Sequence, residues 1–123
     1  TLMFMQSFYY RKAIYMINEW SEQQIDKQIK EHNSFFLYLY TPMCGTCQVA
    51  SKMLTVVKEL LPTKVIGKCN LNYIPVKARE WEIESVPCLL HFKNGKISEA
   101  KMYAFRSVEH LYNNVKADTI NNG

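Results

Sequence analysis

Two cysteines, Cys44 and Cys47, are the residues whose type and spacing point most directly to chemistry. They follow a short apolar and aromatic run, residues 35–40, and precede residues 48–61, which lack Pro and Gly and carry apolar residues at helical spacing. The pair therefore lies where a strand ends and a helix begins. Unpaired N–H groups and the helix dipole stabilise a thiolate there. The second cysteine, one turn later, can close a disulfide onto the first, which is the arrangement of a redox-active dithiol.

The same Cys-x-x-Cys spacing also occurs in sites that bind zinc or an iron–sulfur cluster. Zinc in such a site usually has four protein ligands. The sequence has no second Cys-x-x-Cys pair and no pair of Cys and His at that spacing. We therefore favour the dithiol and predict no metal.

Composition and charge narrow the function classes. The chain has 123 residues, of which 48% are hydrophobic and 21% charged, as expected for one globular domain. Its net charge of +4 comes from 15 basic and 11 acidic residues that are scattered along the sequence, so we predict neither nucleic-acid nor membrane binding. Of the four cysteines only two are close together in sequence, so the chain does not have the dense cysteine pattern of a small secreted protein held together by disulfides. We expect a reducing compartment, the cytoplasm.

The N-terminal residues are unlike the rest of the chain. Residues 1–17 are rich in apolar and aromatic side chains, but Arg11 and Lys12 interrupt them, so no run is long enough to span a bilayer. A signal peptide would carry its charge before the apolar region. We expect residues 1–15 to be an extension, in part disordered, and residues 16–123 to form the domain, with Met16 as an internal start. The alternative is that residues 13–17 form a first edge strand.

From there the sequence alternates between helix and strand patterns. Ser21 with Gln24 has the pattern of a capping box, and Asn94-Gly95 that of a hairpin turn. Helices are predicted at residues 21–31, 44–61, 76–83 and from 107, and strands at 35–40, 65–71, 88–92 and 97–105. Crossover helices imply parallel strands, and the hairpin adds an antiparallel pair. The fold class is therefore α/β, with a central mixed sheet flanked by helices.

Three landmarks in this order resemble the thioredoxin family, over residues from Trp20 to the C-terminus. The first is Cys44-Gly45-Thr46-Cys47 after an apolar strand, and the second is Ser85-Val86-Pro87, which resembles the cis-proline loop of the family. The third is the hairpin Phe92-Lys93-Asn94-Gly95-Lys96. The resemblance implies the thioredoxin fold.

It also implies a site and an activity. Pro87 would be cis and packed against the dithiol, the backbone of Val86 would pair with a substrate segment, and Met43 would complete an apolar groove around Cys44. Cys44 would attack a protein disulfide and Cys47 would resolve the mixed disulfide. A thioredoxin-reductase-type flavoenzyme or a low-molecular-weight thiol would supply electrons. We expect no cofactor beyond the Cys44–Cys47 disulfide, and a monomer.

The chain departs from the family pattern beside the cysteines. Thioredoxins usually have Trp before the first cysteine and Pro before the second, where this chain has Met43 and Thr46. A threonine frees a backbone N–H near the nucleophile and adds a hydroxyl, and both stabilise the Cys44 thiolate. The sequence therefore predicts a less reducing couple than that of a typical thioredoxin.

Tyr38 is another departure, since it stands where the family usually carries a buried aspartate that helps to deprotonate the resolving cysteine. A tyrosine, with a pKa of about 10, cannot act as that base near neutral pH. We predict a packing role for Tyr38. Lys68 matches the partner lysine of the family by its spacing, and either assists resolution or lies on the surface.

Cys69 and Cys88 are predicted to be small buried hydrophobic residues. The alternative for Cys88, which directly follows Pro87, is a rival disulfide or a third metal ligand. Two rival functions thus remain from the sequence. One is a non-catalytic binding module of the same fold, and the other is a metal or iron–sulfur site that uses Cys44, Cys47 and Cys88.

Overall fold

The computed structural model describes residues 16–31 and 33–122, so the expectation for residues 1–15 lies outside the described residues. The strands are β1 (Asn18–Glu19), β2 (Phe35–Tyr40), β3 (Ile66–Asn70), β4 (Cys88–Lys93) and β5 (Lys96–Ile97). The helices are α1 (Glu22–Lys30), α2 (Gly45–Leu60), α3 (Pro75–Glu80) and α4 (Val108–Lys116), with a 3-10 turn at Leu71–Tyr73. Among these described residues, no helix combines the length and apolar composition needed to cross a membrane.

The strands form one mixed sheet in the order β1-β3-β2-β4-β5. β2 is central, parallel to β3 and antiparallel to β4, and its middle residue Leu37 lies between Gly67 and Leu90. The first strand that the structure describes, β1, starts at Asn18; of the alternative edge strand over residues 13–17, only Met16 and Ile17 are described, and neither lies in a strand. The predicted α/β class with a mixed sheet flanked by helices is confirmed.

Alternation along β2 divides the core between the two faces of the sheet. Phe36 and Tyr38 belong to a cluster with residues of α2 and α4, which include Ala50, Leu54, Val57, Leu111 and Val115. Phe35, Leu37 and Leu39 belong to a second cluster with Ile25 of α1 and with Trp20, Cys69, Ile74, Cys88, Leu90 and Phe92. Because successive strand residues point to opposite faces, each side chain's position in the sequence fixes the layer that it joins.

Local sequence signals set the ends of several elements as predicted. At the start of α1 the Ser21 hydroxyl accepts from the Gln24 N–H at 3.2 Å, while the Gln24 side chain accepts from the Ser21 N–H at 2.7 Å. Asn94 and Gly95 have φ values of 54° and 76°, as a two-residue hairpin turn requires. Both observations confirm predictions that were based on only a few neighbouring residues.

The returning strand of the hairpin is much shorter than predicted. The sequence predicted a strand over residues 97–105, whereas β5 ends at Ile97 and pairing resumes only at an isolated bridge between Met102 and Leu89. Phe92 pairs with Ile97, so the returning chain carries two extra residues before Met102. A bulge of this kind interrupts the ladder. Helix α3 also ends at Glu80, before the predicted residue 83, and Glu82 follows with a φ of 55°.

Candidate active site

The two cysteines lie at the start of α2, where the sequence placed them. Cys44 is the N-cap of the helix and Cys47 lies in its first turn. They form a disulfide with a Cα–Cα separation of 5.2 Å. Cys44 is half-buried, whereas Cys47 is only 3% exposed. The pair is therefore asymmetric, and an incoming disulfide can approach Cys44 more readily than Cys47.

Two donors surround the sulfur of Cys44. The backbone N–H of Cys47 donates to Sγ at 3.1 Å, and the Thr46 hydroxyl lies 3.4 Å from the same atom. The N–H that contacts the sulfur is thus that of Cys47, at the unpaired start of the helix. In the reduced protein the same groups would face a thiolate, and hydrogen bonds to a charged acceptor are stronger than those to a neutral one.

The hydroxyl of Thr46 can be tested with an isosteric substitution. Thr46→Val keeps the branched side chain and removes only the oxygen, so the Cys44 thiolate loses one donor. We expect the pKa of Cys44 to rise and the couple to become more reducing by about 10 to 30 mV. Equilibration of wild type and variant against a glutathione series measures the shift. An unchanged or more oxidising potential would show that the hydroxyl does not stabilise the thiolate.

An apolar groove lies on one side of the dithiol. It has a volume of about 430 Å³ and includes Thr46, Val86, Pro87, Tyr103 and Phe105 in its lining. The Val86–Pro87 peptide bond is cis. Met43, which the sequence also placed in the groove, is 97% exposed and does not line it. Tyr103 and Phe105 were missed because they lie in the segment that was predicted to be a strand.

A second cavity, of about 410 Å³, lies on the other flank of Cys47. Its lining combines the end of β2 and the following loop with the first two turns of α2, namely Tyr40, Thr41, Pro42, Cys47, Gln48, Ser51 and Lys52. The site therefore has two cavities of similar size, one beside Pro87 and one beside Cys47.

Tyr38 contacts Cys47 directly. Its side chain is 1% exposed, and its hydroxyl donates to the backbone carbonyl of Cys47 at 2.8 Å. Burial raises the pKa of Tyr38 to about 12, so the phenol stays protonated and remains a donor. The sequence predicted packing here and missed this hydrogen bond.

Lys68 lies beside Tyr38 on the neighbouring strand, since the two residues are register partners in β2 and β3. Its ammonium group is 5.9 Å from the centroid of the Tyr40 ring. The Tyr40 hydroxyl in turn donates to the Glu19 carboxylate at 2.5 Å. Lys68 is thus placed next to Tyr40 and Glu19, a cluster that the sequence did not predict although tyrosines two apart in a strand share a face.

Cys69 and Cys88 lie in the core on the face of the sheet opposite α2. Both are buried free cysteines in the cluster that packs against α1. Burial raises the pKa of Cys69 to about 11 and that of Cys88 to about 12. Cys88 therefore does not form the rival disulfide, and it points away from Cys44 and Cys47. Across residues 16–31 and 33–122, no group of three or more Cys, His, Asp or Glu side chains could hold a metal ion.

Thiol labelling tests this division of the four cysteines. At pH 8 a thiol with a pKa of about 12 is ionised to only about one part in ten thousand, and burial further blocks reagent. We expect no labelling of the native oxidised protein by iodoacetamide, and two labelled cysteines after unfolding without reductant. Because both pKa values are raised, reactivity should appear only as the pH rises towards 11. Two rapidly labelled thiols in the native oxidised protein at pH 8 would contradict the assignment.

Comparisons with known proteins agree with this geometry. The family model Thioredoxin matches residues 16–117. Thioredoxin-like protein YusE of Bacillus subtilis (strain 168) is 53% identical over 97 residues, which cover 73% of this chain and 91% of that protein. Thioredoxin of Buchnera aphidicola subsp. Acyrthosiphon pisum (strain APS) is 30% identical over 95 residues, which cover 76% of this chain and 88% of that protein.

A solved structure shows the same fold. Mitochondrial thioredoxin 3 of Saccharomyces cerevisiae, in its oxidized form, superposes with a TM-score of 0.69 at 22% identity, over 82% of this chain and 94% of that chain. The predicted thioredoxin fold is therefore confirmed. The cysteine pair at disulfide distance supports thiol–disulfide oxidoreductase chemistry in general. By the match of its sequence over most of its length, the chain belongs to the thioredoxin family.

Proposed function

We propose that this protein reduces disulfide bonds in other proteins, with Cys44 as the nucleophile and Cys47 as the resolving cysteine. The observation that carries the proposal is the asymmetry of the pair. Cys44 is half-buried and caps the helix, where the Cys47 N–H and the Thr46 hydroxyl face its sulfur, whereas Cys47 is 3% exposed. A thiol that is both accessible and electrostatically favoured as a thiolate is the better attacking group.

The reaction proceeds in two exchange steps. The Cys44 thiolate attacks one sulfur of the substrate disulfide, forming a mixed disulfide and releasing the other substrate sulfur as a thiolate. Cys47 then loses its proton and attacks Sγ of Cys44, which forms the intramolecular disulfide and releases the second substrate thiolate. The substrate gains two electrons and two protons, and the protein loses them. A reductant must then convert the Cys44–Cys47 disulfide back to the dithiol.

The groove beside Pro87 is the proposed contact surface for the substrate. Its lining by Val86, Pro87, Tyr103 and Phe105 suits an extended apolar segment next to the disulfide. The exposed side chain of Met43 offers an adaptable apolar contact at the edge of the site. We propose that a thioredoxin-reductase-type flavoenzyme or a low-molecular-weight thiol supplies the electrons, and that the protein acts as a cytoplasmic monomer without a further cofactor.

A turnover assay tests the proposal. We expect wild-type protein to accelerate the reduction of a disulfide-bonded protein such as insulin by dithiothreitol, and Cys44→Ser to show only the uncatalysed rate. Cys69→Ala, which removes a buried thiol on the other face of the sheet, should retain the activity. Equal rates for wild type and Cys44→Ser would favour the non-catalytic binding module instead.

A further inference from the structure

We propose that Tyr38 is a positioning residue that holds the backbone of Cys47 and thereby sets the reduction potential of the dithiol. The inference rests on the proposed function, since it concerns the same cysteine pair. It assigns to a residue of the central strand a role in the chemistry at the start of α2.

Packing against neighbouring rings holds the Tyr38 side chain, and with it the hydroxyl, in place. Its ring is stacked on that of Tyr40 with the centroids 6.0 Å apart and packs edge-on against Phe105 at 5.8 Å. The side chain is 1% exposed and belongs to the cluster between the sheet and α2. The hydroxyl donates to the Cys47 carbonyl at 2.8 Å, and the Ser51 side chain is its other hydrogen-bond partner.

Cys47 is thus held through both of its backbone polar groups. Its carbonyl accepts from Tyr38, and its N–H donates to the Cys44 sulfur at 3.1 Å. A shift of residue 47 would change the second contact as well as the first. Because buried hydrogen-bonded groups in a closely packed core have little freedom to relax, the tyrosine keeps this N–H aimed at the position where the thiolate forms.

The effect of Tyr38 on the reduction potential depends on which redox state of the cysteine pair it stabilises more. The N–H contact is stronger with the Cys44 thiolate of the reduced protein than with a neutral disulfide sulfur. Tyr38 therefore stabilises the reduced state more than the oxidised state, lowers the pKa of Cys44, and makes the couple more oxidising. Removal of the hydroxyl should reverse each of these effects.

The test compares Tyr38→Phe with Tyr40→Phe. Each substitution removes one phenolic oxygen from the same face of β2. The Tyr40 hydroxyl, however, donates to Glu19 rather than to Cys47, and Tyr40→Phe keeps the aromatic ring that lines the cavity beside Cys47. We expect Tyr38→Phe to shift the equilibrium with glutathione about 3- to 10-fold towards the disulfide, which is about 15 to 30 mV more reducing. The pKa of Cys44, followed by thiolate absorbance, should rise in parallel. Tyr40→Phe should match wild type in both.

A merely structural role gives a different result. If Tyr38 only packs, Tyr38→Phe destabilises the oxidised and reduced proteins equally in urea, and the potential does not move. That outcome, or equal shifts in Tyr38→Phe and Tyr40→Phe, would overturn the inference, and so would failure of Tyr38→Phe to fold. Tyr38→4-aminophenylalanine restores an N–H donor at this position, and we expect it to recover the wild-type potential.

Failure of the proposed function would look different again. In that case wild type itself would show no redox transition of the Cys44–Cys47 pair, or a transition without any turnover of protein disulfides. The positioning role alone fails when wild type shows both the transition and turnover, but Tyr38→Phe does not fold, leaves the potential unchanged, or shifts it no more than Tyr40→Phe does.

Discussion

Substitution of Cys47 by serine is expected to stop turnover and to leave Cys44 covalently bound to substrate. Cys44 keeps its place at the N-cap, where the backbone N–H of residue 47 faces its sulfur, so the first exchange step can still occur. A serine hydroxyl cannot attack the resulting mixed disulfide, because thiol–disulfide exchange requires a thiolate. Turnover should fall to the uncatalysed rate, while a stable adduct accumulates.

Non-reducing electrophoresis and mass spectrometry detect the adduct directly. Incubation of reduced Cys47→Ser with a disulfide-bonded protein should give one species whose mass is the sum of the two, and dithiothreitol should release both. The matched control is Cys88→Ala, which removes a thiol on the opposite face of the sheet and should turn over without trapping. An adduct in the double variant Cys44→Ser, Cys47→Ser, or none in Cys47→Ser, would contradict the assigned roles.

Replacing Gly67 by alanine is expected to destabilise the fold by about 3 kcal/mol. Gly67 lies in β3, and a Cβ atom there would overlap the ring of Trp20. That ring cannot move away easily, because Trp20 is 9% exposed and packs edge-on against Phe35 with the centroids 5.5 Å apart. The backbone N–H of Trp20 also donates to the backbone carbonyl of Lys68 at 2.7 Å. The close approach of the indole to the strand therefore requires glycine.

Gly45 provides the matched control for that substitution. Beyond its chain neighbours and the adjacent backbone of α2, a Cβ atom at Gly45 would meet no atom within 4 Å, and the residue is the first of α2. Gly45→Ala should be neutral or slightly stabilising, since alanine is the better helix former. Urea unfolding followed by far-UV circular dichroism measures both variants. Similar midpoints for Gly67→Ala and wild type would mean that the indole does not pack against β3 as described.

Much of the fold was predictable because its signals are local. The apolar run of β2, the helical spacing in α2, the capping box at Ser21 and the Asn94-Gly95 turn each depend on residues close in sequence. The strand that follows the hairpin turn was not predictable in the same way. The turn signal at Asn94-Gly95 led to the prediction of a continuous strand over residues 97–105, but the bulge after Ile97 is decided by the register against β4, which is a tertiary property.

The candidate site shows the same division. Cys44, Cys47 and the loop with Pro87 could be found because their types and spacing carry the chemistry. The hydrogen bond from Tyr38 to Cys47 could not, because it depends on how the helix lies over the sheet. The burial of Cys88 was predicted from its residue type, whereas the face of the sheet on which it lies follows from its register opposite Leu39, which is a tertiary property.

The redox equilibrium of the Cys44–Cys47 pair against a glutathione series tests the central claim most directly. We expect one two-electron transition that is absent in Cys44→Ser, with a midpoint less reducing than the value of about −270 mV typical of thioredoxin. The donors at the Cys44 sulfur, the Cys47 N–H at 3.1 Å and the Thr46 hydroxyl at 3.4 Å, are the reason for that direction. The absence of any transition would contradict the oxidoreductase assignment, and a midpoint at or below that value would contradict the role of these donors.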